Sequence, residues 1–153
     1  MKKQKMFLIL SLLFFCMLLP IQGFAADKVD FKTYDKGIAL AKKLNKKVFV
    51  FFHADWCKYC HKMEKETLSN IDVINYLNKN YISILIDTEH EKELAKKYKA
   101  WSLPLLYFLR EDGSALSSRR GYLNVKNFLY TLQYINTESY KKGISFTDFV
   151  NQN

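Results

Sequence analysis

The apolar run Val48-Phe49-Val50-Phe51-Phe52 constrains this chain more than any other stretch. Apolar and polar residues do not alternate in it, so a strand built from it must be covered on both faces. That demands helices on either side of a sheet. The run leads through His53-Ala54-Asp55-Trp56 into Cys57-Lys58-Tyr59-Cys60, and a helical pattern follows from Lys58 to Leu68. The sequence therefore predicts a buried strand that delivers two cysteines to the first turn of a helix. The partial positive charge and unpaired N–H groups of a helix N-terminus favour a thiolate over a thiol. Cys57, at the mouth of the helix, is the expected attacking sulfur. Cys60, one turn further in, is the expected resolving sulfur.

The 153-residue chain has one other cysteine, Cys16, and it lies in a different kind of segment. Lys2, Lys3 and Lys5 precede a hydrophobic stretch, Met6 to Leu19, interrupted only by Ser11. Pro20 and Gln22 follow, then Gly23-Phe24-Ala25. Small residues stand at the two positions a signal peptidase reads, so residues 1–25 are predicted to be a secretory signal, cut after Ala25 or Ala26. The apolar stretch is short for a spanning helix, and an uncleaved N-terminal anchor is the alternative. Either way the remainder is expected to be exported, in a periplasmic or other extracytoplasmic compartment. In that oxidising setting only Cys57 and Cys60 remain. A structural disulfide normally closes a longer loop, so the pair reads as catalytic. A zinc site would need a second ligand pair that the chain does not offer. No metal and no organic cofactor is expected.

Without residues 1–25 the chain keeps 21 basic side chains against 15 acidic ones. The lysines are spread over predicted helix faces and no nucleic-acid motif accompanies them, so the charge reads as solvated surface rather than a nucleic-acid site. The rest of the pattern is alternating helix and strand. Asp30 is a candidate cap for a helix from Phe31, with Tyr34, Ile38, Ala41 and Leu44 on one face. Ile71 to Leu77 reads as a further helical turn or two. Tyr81 to Ile86 is a second buried strand. Thr88 to Glu91 has the form of a capping box before a helix carrying Leu94, Ala95 and Tyr98. After the loop Trp101-Ser102-Leu103-Pro104, Leu105 to Leu109 is a third strand. Asp112-Gly113 centres a hairpin, and Ala115 to Tyr122 returns as a fourth, edge strand. Asn124 caps a long helix with Phe128, Leu129, Leu132 and Ile135 inward. Strands alternating with helices imply a parallel half, and the hairpin adds an antiparallel half. The predicted fold is α/β, a mixed central sheet of about four strands flanked by helices. Residues 26–136 form the domain, and 137–153 an extension in which Ile144, Phe146, Phe149 and Val150 suit a short docked helix.

This arrangement resembles the thioredoxin fold in three respects: Trp56-Cys57-Lys58-Tyr59-Cys60 after a buried strand, Leu103-Pro104 before the third strand, and a hairpin followed by a terminal helix. Ala54-Asp55-Trp56-Cys57 with Cys60-His61-Lys62-Met63-Glu64-Lys65-Glu66-Thr67-Leu68-Ser69 is similar to the C-terminal periplasmic thioredoxin domain of the disulfide interchange protein DsbD, and to small exported thioredoxins of the SoxW kind. The likeness runs from about Phe31 to Ile135 and is close only around the active-site stretch. It implies that Pro104 is cis and lies against the disulfide, and that Leu103 offers its backbone to an extended substrate peptide. It also implies that Glu64, seven residues after Cys57, tunes the cysteines or accepts the resolving proton. The alternative is a surface glutamate paired with Lys62 or Lys65. Thioredoxins commonly place a buried aspartate where Phe51 stands, which would move that proton-accepting role to Glu64 or water. His53 and His61 flank the motif. Either could tune the thiolate, or His53 could simply pack at the strand end and His61 stand in solvent. Trp56 is expected to pack beside the disulfide, and Trp101 to share its apolar surface.

The expected activity is that of a thiol–disulfide oxidoreductase, with Cys57, Cys60 and Glu64 as catalytic residues and Trp56, Leu103 and Pro104 at the substrate. The resemblance favours reduction of protein disulfides, with a membrane-bound electron donor upstream; no dimerisation segment is visible in the sequence, so a monomer is expected. Lys58-Tyr59 replaces the Gly-Pro of a plain thioredoxin, and a Tyr there keeps an isomerase or oxidase open. A client-binding module using Trp101, Leu103 and Tyr122 is the reading from a different class.

Overall fold

The computed structural model describes residues 27–153. The predicted signal lies outside the described residues, and among them no helix is long and apolar enough to cross a membrane. In chain order the elements are β1 (Phe31–Lys32), α1 (Tyr34–Leu44), β2 (Lys47–His53), α2 (Lys58–Glu66), α3 (Ile71–Asn80), β3 (Tyr81–Asp87), α4 (Lys92–Lys97), β4 (Leu105–Leu109), β5 (Ala115–Arg120) and α5 (Val125–Asn136). A 3₁₀ turn, Ser139–Lys142, and α6 (Phe146–Gln152) end the chain.

The sheet has the order β1-β3-β2-β4-β5. β3 runs parallel to both β1 and β2, while β4 is antiparallel to β2 and to β5. β2 lies at the centre, which is why its sequence does not alternate. Phe49 and Phe51 face one core with Met63, Val73, Leu77, Phe128 and Leu132. Val48, Val50 and Phe52 face the other with Ala41, Ala95 and Tyr98. All five residues of the run are fully buried, and each such side chain contributes about 1.5–3 kcal/mol relative to exposure. The apolar run thus anchors the strand that carries the site.

Two local expectations fail, for identifiable reasons. Phe31 is not helical. With Lys32 it pairs with Ser83 and Ile84 and covers the outer edge of β3, so the sheet has five strands rather than about four. The helix begins instead at Tyr34, with Thr33 as an extended N-cap. Asp30 binds the Lys32 ammonium at 2.6 Å and takes no part in capping. The Thr88–Glu91 box does not form either. Glu91 makes no side-chain cap bond, and Thr88 donates both its N–H and its hydroxyl to the His53 carbonyl, at 2.9 and 3.0 Å. Tertiary contact with the end of β2 outcompetes the local cap. The hairpin follows its expectation. Gly113 sits at φ +85°, where a side chain would be strained, and Arg110 and Ser114 close the turn at 2.9 Å. Asn124 caps α5 by accepting the Asn127 N–H at 2.9 Å. Beyond α5, Tyr134 packs against Phe146 and Phe149, each with centroids 5.4 Å away, and joins α6 to the domain.

Candidate active site

β2 ends at His53, and buried Ala54 begins the turn into α2. The Cys57 N–H donates to the Ala54 carbonyl at 3.0 Å, which places Cys57 at the N-cap of α2 with an extended backbone. Its Sγ accepts the Cys60 N–H at 3.2 Å. A sulfur thus occupies the position of a capping oxygen and takes up one of the orphan donors of the first turn. Cys57 and Cys60 form a disulfide, with Cα atoms 5.2 Å apart. Cys57 is 4% exposed and Cys60 fully buried. Of the two cysteines, only Cys57 reaches the surface at all. The pair belongs to the same apolar core as Phe51, Ala54, Met63 and Leu106, all fully buried. Phe51 offers no proton acceptor to Cys60.

The ionisable groups stand beside α2. Glu64 is paired with neither Lys62 nor Lys65. Its two carboxylate oxygens lie 3.4 Å from His53 Nδ1 and 3.4 Å from His61 Nδ1. Lys62 goes to Glu66 at 3.9 Å and over the Tyr122 ring. The His53 ring stacks on Phe51 at 15° and is mostly buried. His61 does not simply stand in solvent, because its Nε2 is 2.7 Å from the Asp55 carbonyl. That carbonyl and the Glu64 carboxylate, in that order, hold the His61 imidazole above its ordinary pKa.

A second layer comes from the loop after β3, which the sequence suggests only as a helix cap. Glu89 accepts the Asp55 N–H at 3.2 Å, and Thr88 binds the His53 carbonyl. The two contacts brace the turn before Cys57. Asp87, across the ladder from His53, pairs with His90. The His90 contact and the Glu89 N–H lower the Asp87 carboxyl, and Asp87 raises His90.

The peptide bond between Leu103 and Pro104 is cis, and Pro104 is buried. Leu105 pairs with Phe52, so Pro104 sits at the end of the sheet that carries His53 and the turn into α2. The Pro104 carbonyl accepts the Gly121 N–H at 2.8 Å. Leu103 is half-buried between the two cores. Trp56 departs from expectation: at 68% exposure it does not pack into the site, and Tyr59 and Trp101 are similarly open. Leu103 and Tyr122 are not an exposed patch. Both pack against the core, and the Tyr122 hydroxyl donates to Glu66 at 2.7 Å. A cavity of about 210 Å³ between β5 and α5 is lined by neither cysteine. Among the described residues no group of three or more His, Cys, Asp or Glu is arranged to hold a metal ion.

Several known proteins are similar to this chain. The DsbD thiol:disulfide interchange protein of Pectobacterium atrosepticum is 31% identical over 104 residues, which cover 65% of this chain and 18% of that protein. Spermatogenesis-associated protein 20 of Rattus norvegicus is 36% identical over 58 residues, 38% of this chain and 7% of that one. The chain therefore spans only a small part of these curated relatives. Among solved structures, a thioredoxin from Thermus thermophilus superposes with TM-score 0.65 at 25% identity, covering 71% of this chain and 87% of that one. The reduced C-terminal domain of Neisseria meningitidis DsbD gives TM-score 0.55 at 24% identity, covering 67% and 92%. The profile of the thioredoxin-like domain family matches residues 34–136. The five-stranded sheet, the cysteine pair at the head of α2 and this match together place the chain in the thioredoxin-like domain family, with the thioredoxin fold.

Proposed function

We propose that this chain is an exported thiol–disulfide oxidoreductase that reduces disulfides in protein substrates. The observation that carries the reading is the N-cap position of Cys57: its sulfur accepts an α2 N–H while Cys60 is sealed beneath it. In the reduced form the Cys57 thiolate attacks a substrate disulfide and displaces one substrate thiolate. Cys60, freed of its proton, attacks Cys57 Sγ. The Cys57–Cys60 bond forms, the bond from Cys57 to substrate breaks, and the second substrate sulfur leaves as a thiolate that takes a proton from water. Glu64, one helical turn beyond Cys60 on the same face of α2, is the candidate to accept the Cys60 proton. Exposed Trp56 beside the disulfide, and the backbone of Leu103 ahead of cis Pro104, suit an extended peptide. Return to the dithiol requires an electron source, for which a membrane-bound donor is the partner proposed. The likeness to DsbD and the signal-like N-terminus support the extracytoplasmic setting.

The test is a redox titration in glutathione buffers, read by Trp56 fluorescence. A two-electron transition at or below roughly −220 mV is expected of a reductant, and one above roughly −150 mV would instead indicate an oxidase or isomerase. Cys57→Ser should abolish turnover. If that variant keeps full function, the chain is a client-binding module instead.

A further inference from the structure

Among the described residues, Phe51, Ala54 and Met63 share a buried apolar core with Cys60, and none of these side chains can accept its proton. Beside α2 the situation is different. Glu64 shares a helical face with Cys60 and presents one carboxylate oxygen to each of two imidazoles. The tautomer of His61 follows from its other contact. A carbonyl can only accept, so His61 Nε2 carries its hydrogen toward Asp55. Nδ1 then faces the Glu64 carboxylate. With no proton between them, two lone pairs would oppose each other, so His61 and Glu64 together form a site for one proton.

We infer that His61 and His53 are positioning residues for Glu64. His53, fixed by its stack on Phe51, holds one oxygen of the carboxylate; His61, fixed by the Asp55 carbonyl, holds the other and hands the Cys60 proton on to solvent. This rests on the reading of Glu64 as the acceptor in the resolving step. The balance is simple. Cys60 gives its proton to Glu64, the pair passes it through His61 Nδ1 to water, and the Cys60 electron pair forms the new S–S bond. The route is open because His61 is more than half exposed, whereas His53 is only 16% exposed.

Other charges face this cluster from each packed element. Asp87 on β3 lies across from His53, but its carboxylate is engaged by His90. Glu89 is engaged by the Asp55 N–H. Asp27 and Lys28 line the shallow groove shared with Glu64. None of these reaches His61 Nδ1 within ion-pair distance, and the Asp55 carboxylate acts on His61 only as the weakest of its charges, which leaves Glu64 as its ion-pair partner.

The test uses the purified protein in two states. Imidazole ¹⁵N NMR on the disulfide form should show His61 as the Nε2–H tautomer, with a pKa above 6.5 that falls in Glu64→Gln. An Nδ1–H tautomer, or a titration indifferent to Glu64→Gln, overturns the inference. The second measurement follows release of glutathione from the Cys57–glutathione adduct against pH. His61→Gln should remove the inflection that tracks the His61 titration, and His53→Gln should slow release; each loss of about threefold to tenfold lies below the roughly 10²-fold of a general base itself. Added to Glu64→Gln, either change should cost nothing more. Equal slowing with and without Glu64 would make the histidines merely structural and overturn the inference. A wild-type adduct that never resolves refutes the oxidoreductase reading, and the proton route with it. The NMR titration needs no turnover, so it tells that failure apart from a failure of the histidine pair.

Discussion

Reducing the Cys57–Cys60 disulfide should destabilise the fold, by an amount the site itself sets. The bond closes a very short loop, with a sequence separation of 3. Counting four residues in the ring, chain entropy gives the oxidised fold an advantage of about 2 kcal/mol at 25 °C. The reduced fold recovers part of it. Once reduced, a Cys57 thiolate at the N-cap of α2, where the sulfur already accepts the Cys60 N–H in the disulfide, would gain about 0.3–1 kcal/mol from the helix terminus. The net advantage of the oxidised form is then about 1–1.5 kcal/mol. By the thermodynamic cycle linking folding to reduction, that places the folded couple about 20–30 mV below the same dithiol in the unfolded chain, on the scale of 30 mV per 1.4 kcal/mol. The assay is a pair of thermal melts at pH 7, one oxidised and one in excess dithiothreitol. The oxidised form should melt about 4–6 °C higher for a domain of this size. If the reduced form melts higher, thiolate stabilisation exceeds chain entropy, the couple becomes oxidising, and the proposed direction of electron flow is wrong.

Two further perturbations test the scaffold. Gly37 lies in α1 against β3, where an added Cβ would collide with Ile84 Cγ1 and Cδ1. Gly37→Ala should therefore destabilise: overpacking costs about 1–3 kcal/mol and outweighs a helix-propensity gain of about 1 kcal/mol. Urea unfolding would show the loss, and Ile84→Val in the same chain should relieve part of it; a Gly37→Ala variant more stable than wild type would refute the packing argument. The Asp87–His90 pair braces the loop behind the site. Asp87 is depressed, so its contribution is present above the ordinary carboxylate pKa and lost as pH falls through the lowered value. His90 is raised, so its contribution is present below about 6.5 and lost as pH rises through the raised value. His90→Ala should lower the urea midpoint most near pH 5 and least at pH 3 and pH 8.5; a uniform shift would show that the pair contributes no charge interaction.

Much of the site could be read from the chain because its signals are local. The Val48–Phe52 run, the Cys57–Cys60 spacing and the Asn124 cap each act within a few residues, and neighbouring elements do not override them. The misread elements were those decided between strands. Phe31 resembles a helix start until β3 offers its edge. Thr88 resembles a cap until the His53 carbonyl offers a better acceptor. Trp56 beside two cysteines suggested a packed ring, but its side chain is 68% exposed.

The sequence alone determined that a doubly covered strand must carry two cysteines into a helix, since hydrophobic periodicity and helix-terminus chemistry depend only on residues near in the chain. Tertiary structure alone decided which groups surround those cysteines. His53 comes from a strand, Glu64 and His61 from a helix, and Thr88 and Glu89 from the loop after the neighbouring strand. Their meeting depends on the parallel register that sets His53 opposite Asp87. No spacing along the chain encodes that meeting, because it is the sheet that brings these segments together.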